Sequence, residues 1–210
     1  MKLHLASGNA HKVGEFQELA AASGLAIEII SARAVGGMPV VVEDAGTFLG
    51  NARKKAEALH RQLPAPGWVL ADDSGLCVDA LGGAPGVESA YYAGPAGDPA
   101  ANLRKLVAAL RDVPPDRRSA FFVCVLVLMD PAGAVQVFEG RCDGMLALAP
   151  RGGAGFGYDP LFVPAGANRT LAEMPAEAKN SLSHRGRAWA LLAEWWPAAA
   201  RAGAPRRDRR

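Results

Sequence analysis

"SAFFVCVLVLMDPAGAVQVFEGRCDGMLALAP", residues Ser119 to Pro150, holds two apolar runs joined by the turn Asp130-Pro131-Ala132-Gly133. Asp and Gly tolerate tight-turn conformations and Pro presets one. The flanking runs, rich in Val, Phe and Leu, read as paired strands inside a sheet; a membrane span would need about 18 or more consecutive apolar residues. Toward the N-terminus the periodicity changes. KLHLAS is a short strand ending at Ser7, and AHKVGEFQELAAAS puts Val13, Phe16 and Leu19 or Ala20 at helical spacing. LAIEII predicts a second strand. TFLGNARKKAEALHRQL predicts a helix with Ala52, Ala56, Leu59 and Leu63 on one face and Lys54 and Lys55 near its edge. WVLAD is a third strand, with Asp72, Asp73 and Ser74 at its exit. Asp98 and Pro99 start a further helix that ends before Pro114. Beyond the hairpin, glycine-dense RGGAGFGYDPLF leads into a short strand, and SLSHRGRAWALLAEWW closes the pattern as a helix sharing Trp189, Leu192 and Trp196 on one face. Alternating strands and helices imply parallel pairing and the hairpin adds antiparallel pairs. Together they predict an α/β fold with a mixed central sheet and flanking helices.

With 210 residues, 50% hydrophobic and 21% charged, the chain has the composition of one compact unit. We read residues 1–200 as a single α/β domain. The segment RAGAPRRDRR, residues 201–210, carries five Arg and one Asp, offers no large apolar side chain for packing, and reads as a disordered basic tail. It contributes +4 to a formal net charge of +2, leaving −2 on residues 1–200. That balance argues against a nucleic-acid-binding surface. Cys77, Cys124 and Cys142 are odd in number, widely spaced and set in or beside apolar runs, which fits neither a disulfide framework nor a zinc site and points to the reducing cytoplasm. MKLHLASGN has no long apolar signal segment, so no membrane association is expected.

Five stretches carry candidate chemistry. In SGNAHK a strand gives way to a helix, whose N-terminal amides and nearby Lys12 suit an anion such as phosphate; Gly-Asn before a helix is also an ordinary turn. VVVEDAG contributes Glu43 and ADDSG contributes Asp72 and Asp73, carboxylates that could hold Mg²⁺ and accept a proton from water, although Asp-Asp-Ser-Gly also simply turns a chain. Adjacent acids beside an apolar strand call for a cation nearby. Phe156, Gly157, Tyr158 and Asp159 put aromatic rings in a flexible loop, where they either face a base or pack inward. Lys179, His184 and Arg185 cluster at the start of the last helix, where cations oppose the helix dipole and call for an anionic or hydrogen-bonding partner. Several alternatives fail on pattern. No G-x-x-x-x-G-K-[ST] or G-x-G-x-x-G is present. Asp72 stands where a G-x-S-x-G nucleophile elbow around Ser74 needs its first glycine, and the adjacent acids do not form a D-x-D pair.

In order along the chain, S-G-N-A-H-K-V-G-E, E-D-A-G with N-A-R-K-K-A, A-D-D-S-G-L with A-L-G-G-A-P-G-V, F-G-Y-D-P-L-F and K-N-S-L-S-H-R closely resemble the inosine/xanthosine triphosphate pyrophosphatase family, the Ham1-like enzymes that remove nonstandard purine nucleotides. The likeness runs from about residue 3 to about residue 195. It implies hydrolysis of ITP, dITP and XTP to the monophosphate and pyrophosphate. It also implies Mg²⁺, a homodimer, and two lobes around an active-site cleft. Carried over by motif, Ser7, Gly8, Asn9, Ala10, His11 and Lys12 form the nucleotide-binding loop and Lys55 contacts phosphate. Glu43 and Asp73 become metal ligands, with Asp73 also the proton acceptor, and Ser74 touches substrate. Phe156, Gly157, Tyr158 and Asp159 contact the nucleoside, and Lys179, His184 and Arg185 reach the base. Asp72 is left as a supporting or structural acid. The chain departs from the family's usual P-G-V-Y-S-A-R-Y with P-G-V-E-S-A-Y-Y, placing Glu88 and Tyr91 where an aromatic residue and an arginine are expected.

A triphosphate of about four negative charges needs Lys12, Lys55 and Mg²⁺ before a hydroxide-like nucleophile can approach. Donors on His184 or Arg185 suit the 6-oxo oxygen of hypoxanthine or xanthine and meet only another donor on adenine. A site built on such a bond can discriminate by ~10⁴ or more. A Maf-like pyrophosphatase of pyrimidine or methylated nucleotides is the nearest alternative, and the S-H-R and F-G-Y-D motifs favour the purine reading. A nucleotide-binding protein without catalysis is a second, opposed by the intact Lys12, Glu43, Lys55 and Asp73.

Overall fold

The computed structural model describes residues 1–202, with side chains through residue 196. Six strands form one mixed sheet in the order β2-β1-β3-β4-β5-β6. β1 (Lys2–Leu5) leads into α1 (Ala10–Ala22), which returns the chain to β2 (Glu28–Ser31). α2 (Phe48–Gln62) then carries it to β3 (Trp68–Val78). β1 pairs in parallel with both β2 and β3. α3 (Pro99–Ala109) precedes the hairpin of β4 (Ser119–Met129) and β5 (Val135–Leu146), and β6 (Phe162–Pro164), α4 (Ala176–Leu182) and α5 (His184–Ala202) complete the order. From β3 onward the pairing is antiparallel. Residues 203–210 of the expected basic tail lie outside the described residues, and the final helix extends to Ala202. Among the described residues, no helix is long and apolar enough to cross a membrane.

Each face of the sheet takes its own helices because strand side chains alternate. Leu70, Leu126 and Leu128 face one side with Phe16 and Leu19 of α1 and Trp189, Leu192 and Trp196 of α5. Val69, Ala71 and Val127 face the other, under Ala52, Ala56 and Leu59 of α2. A second core lies at the far end of the long strands, where Leu76, Val78, Phe122, Cys142 and Phe162 meet Leu106 of α3. Two lobes thus share β3, β4 and β5, with the middle of β3 between them.

Two local expectations are corrected. β3 does not end at Asp72. It runs to Val78, because Asp72 pairs with Leu126 and Ser74 with Cys124 along the full length of β4. Polarity suggested an exit; pairing keeps the segment in the sheet. The last helix is also two: Ser183 turns extended (ψ 154°), and its Oγ accepts from the Gly186 amide at 3.1 Å, starting α5 anew. Lys179 therefore lies in the last turn of α4, apart from His184 and Arg185 in the first turn of α5. The open edge of distal β3 is covered by a 3₁₀ segment, Gly86–Tyr91, and a Cβ at Gly75 would sit 2.3 Å from the Gly86 carbonyl oxygen. Only glycine admits that approach.

Candidate active site

The last contact between β1 and β3 is the Ala6 amide donating to the Leu70 carbonyl at 2.7 Å. Beyond it β1 turns into α1 while β3 runs on, and a crevice opens at the carboxyl end of β1. α1 and α2 leave on opposite faces, an arrangement that places ligand sites at such strand ends. Asp72 and Asp73, adjacent in β3, consequently face different helices. This mid-strand placement, rather than a loop, separates their roles.

On the α2 side, Lys55 donates to Asp73 Oδ1 at 2.6 Å and to Glu43 Oε2 at 3.0 Å. Glu43 stands on an irregular loop that the buried Asn51 ties to α2 by accepting from the Ala45 amide at 3.1 Å. Burial pushes the Asp73 carboxyl up, and Lys55 offsets that only in part, leaving it at about 6. Burial also works against the Lys55 charge, but Asp73 and Glu43 outweigh it and raise the ammonium pKa. Asp73 Oδ2 is buried and has no hydrogen-bond partner. An orphaned carboxylate oxygen beside a second carboxylate fits a divalent cation. Among the described residues no cluster of three or more ligating side chains exists, so two carboxylates would be completed by substrate oxygens and water, the pattern Mg²⁺ favours.

On the α1 and α5 side, the buried Asp72 accepts from Lys12 Nζ, from Arg185 Nε at 3.2 Å, from Ser74 Oγ at 3.2 Å and from Cys124 Sγ at 3.1 Å. Burial alone would raise its pKa, but Lys12 and Arg185 hold it well below the usual carboxylate range. Arg185 also donates to Glu15 at 2.5 Å and to Ser74 Oγ at 2.8 Å. Glu15 bonds Lys179, which donates to Asp159 at 2.7 Å. Asp159, Lys179, Glu15, Arg185, Asp72 and Lys12 thus form a chain of alternating charge. His184 is buried, stacked on Phe122 at 4.6 Å, and has no partner at Nδ1. Burial, reinforced by Arg185, holds its pKa well below the ordinary value, so the ring is neutral.

Two hollows follow from this arrangement. A cavity of about 560 Å³ is lined by Lys12, Glu43, Lys55, Asp73, Glu88 and Tyr91. A slot of about 150 Å³ is lined by Phe122, Phe156, Gly157, His184 and Arg185. Asn9, Lys12 and Ser74 belong to both and mark the junction. Ser7 and Gly8 line the larger cavity. Ala10, His11 and Lys179 instead line a hollow on the far side of Phe156, where the His11 ring stacks on Phe156 at 5.3 Å. The expected amide cradle is altered, because Asn9 Oδ1 already accepts from the His11 and Lys12 amides, at 2.9 and 3.3 Å. Lys12 offers its ammonium instead. Tyr158 packs mainly as core, its hydroxyl donating to the Ser89 carbonyl at 2.8 Å. Asp159 shapes the loop by accepting from the Phe156 amide at 3.0 Å. Glu15 and Phe122 hold the constellation together without having been given a role from the sequence, and Asp72, expected as a supporting acid, lies at its centre.

A model of the Ham1 family matches residues 3–195. The chain belongs to the Ham1 family. Among its Ham1 relatives, a protein of Opitutus terrae named dITP/XTP pyrophosphatase is 65% identical over 199 residues, covering 93% of this chain and 98% of that protein. The solved HAM1 protein from Coxiella burnetii superposes with a TM-score of 0.82 at 38% identity, covering 94% of this chain and 99% of that one. The Mycobacterium abscessus structure described as nucleoside-triphosphatase / dITP/XTP pyrophosphatase gives 0.70 at 44% identity, covering 91% and 97%. Within this Ham1 fold, the departing residues Glu88 and Tyr91 fall on the wall of the charged cavity.

Proposed function

We propose that this chain hydrolyses deaminated purine nucleoside triphosphates, ITP, dITP and XTP, to the monophosphate and pyrophosphate. The observation that carries the reading is the pair of hollows, one charged and one aromatic, meeting at Asn9, Lys12 and Ser74. A triphosphate fits the first and a base the second, with the sugar at the junction. Relatives named dITP/XTP pyrophosphatase support the same substrates.

Lys12 and Lys55 bind and orient the phosphates. Glu43 and Asp73 would hold Mg²⁺, which when bound supplies positive charge against the phosphates and lowers the pKa of water. Asp73, whose Oδ2 has no hydrogen-bond partner, accepts the water proton. As the water oxygen bonds to the α-phosphorus, the bond from that phosphorus to the α–β bridging oxygen breaks. Its electron pair leaves with pyrophosphate. At the other end Phe156 offers an aromatic face, while His184 and Arg185 donate to the 6-oxo oxygen. Three buried, unbridged thiols suit a cytoplasmic setting, and a homodimer is part of the same proposal. Product analysis with dITP and Mg²⁺ tests the reading: pyrophosphate is expected, with dITP and XTP turned over far faster than dUTP or dATP. Orthophosphate release, or dUTP preferred to dITP, would overturn it.

A further inference from the structure

We infer that Asp72 is a positioning residue that couples base recognition to phosphate alignment. The inference rests on the proposed function, in which Arg185 reads the base and Lys12 holds phosphate. Asp72 sits in β3 beneath the junction of the two hollows, its side chain closed to solvent. One oxygen, Oδ1, accepts from Lys12 Nζ and from Ser74 Oγ. The other, Oδ2, accepts from Arg185 Nε and Cys124 Sγ. A single rigid carboxylate therefore fixes the distance between the cation on the phosphate side and the cation on the base side. Ser74 closes a ring, since its Oγ also accepts from Arg185 Nη2 at 2.8 Å.

The backbone around Asp72 cannot yield readily, because β3 is paired with β4 on one side at Asp72–Leu126 and its flanking residues are buried. A base that satisfies Arg185 pulls on the same carboxylate that orients Lys12. A base that repels Arg185 loosens Lys12 as well. Discrimination is thereby expressed in phosphate alignment and so in kcat, beyond any difference in binding.

Asparagine at this position keeps the shape but must set an amide donor against either Lys12 or Arg185. For Asp72→Asn, kcat/KM with dITP is expected to fall ~100-fold or more, as breaking a buried charge pair does. The ratio of kcat/KM for dITP to that for dATP is expected to fall ~10-fold or more, most of the loss lying in kcat. A role confined to stability would lower the active fraction equally for both nucleotides and leave that ratio fixed. Asp72→Asn leaves one unbalanced buried cation, so a second comparison covers failure to fold. Lys12→Gln with Asp72→Asn restores the charge balance and is read against Lys12→Gln alone. Because Lys12 carries the coupling to phosphate, the single Lys12 change is expected to lower the ratio by itself, and adding Asp72→Asn is expected to lower it little further. A ratio unchanged from wild type in Asp72→Asn or in Lys12→Gln, or a further tenfold fall from Lys12→Gln to the double variant, would overturn the coupling while leaving the proposed activity intact. A wild-type chain with no preference for dITP over dATP would overturn both.

Discussion

Gly140→Ala is a change at a residue that lines neither hollow and should nonetheless damage the reaction. Gly140 lies in β5 against the start of α5, and a Cβ there would sit 2.1 Å from the His184 carbonyl oxygen and 2.3 Å from the Ala188 amide nitrogen. Ordinary contact begins at 3.4 Å, so the first turn of α5 must retreat by about 1.3 Å. That turn carries His184 and Arg185. A misplacement of about 1 Å can reduce rate ~100-fold, and overpacking costs about 1–3 kcal/mol of stability. For a chain of this size that corresponds to a fall in Tm of roughly 2–12 °C. Pyrophosphate release from dITP and thermal unfolding by circular dichroism would be measured together, with inorganic tripolyphosphate as a competitive inhibitor. We expect kcat/KM to drop ~100-fold at temperatures well below unfolding, with tripolyphosphate inhibition weakened far less, because no residue of α5 lines the charged cavity and α5 reaches its wall only through Asp72 and Ser74. A folded variant within threefold of wild-type activity would refute the reasoning. So would an equal loss of tripolyphosphate affinity.

Asp73→Asn should bind dITP with little change in KM yet lose kcat by ~10²–10⁴, the usual range for removing a proton acceptor; steady-state assays at saturating substrate decide it, and wild-type kcat would remove Asp73 from the chemistry. His184 is buried neutral with its pKa depressed, so as pH falls below about 6.5 the unfolded chain takes up a proton that the native state refuses, and stability declines by up to about 1.4 kcal/mol per pH unit. Asp73, raised to about 6, acts with the opposite sign over that range. The difference between wild type and His184→Gln in urea unfolding at pH 7 and pH 5 therefore isolates the histidine: the variant should lose less stability on acidification, and parallel profiles would contradict this. Tyr91→Arg adds a cation to the wall of the charged cavity and should lower the KM for dITP about three- to tenfold at low salt, an effect that 0.5 M KCl should largely abolish; an unchanged KM at low salt would place Tyr91 out of reach of the triphosphate.

Periodicity located most elements because it records local burial. Phe16 and Leu19 in α1, Ala52, Ala56 and Leu59 in α2, and Trp189, Leu192 and Trp196 in α5 are buried as their spacing predicts. Asp98 caps α3 at the expected place. Lys55 was legible as the edge of a helix face and, by motif, as a phosphate contact; its burial between Glu43 and Asp73 follows from the loop that Asn51 fixes. Glu15 ends the S-G-N-A-H-K-V-G-E motif but received no role, because its partners Lys179 and Arg185 lie 164 and 170 residues away.

The sequence by itself determined the alternation of strands and helices, the mixed sheet and the residue types of the site, since hydrophobic spacing and motif order are local properties. The tertiary structure alone decided that β3 runs through Asp72 and Asp73 and sends them to opposite faces. Strand pairing with β4 overrides the polarity of the segment, and alternation across the sheet then divides two neighbouring carboxylates. Asp73 goes to Lys55, and Asp72 to Lys12 and Arg185.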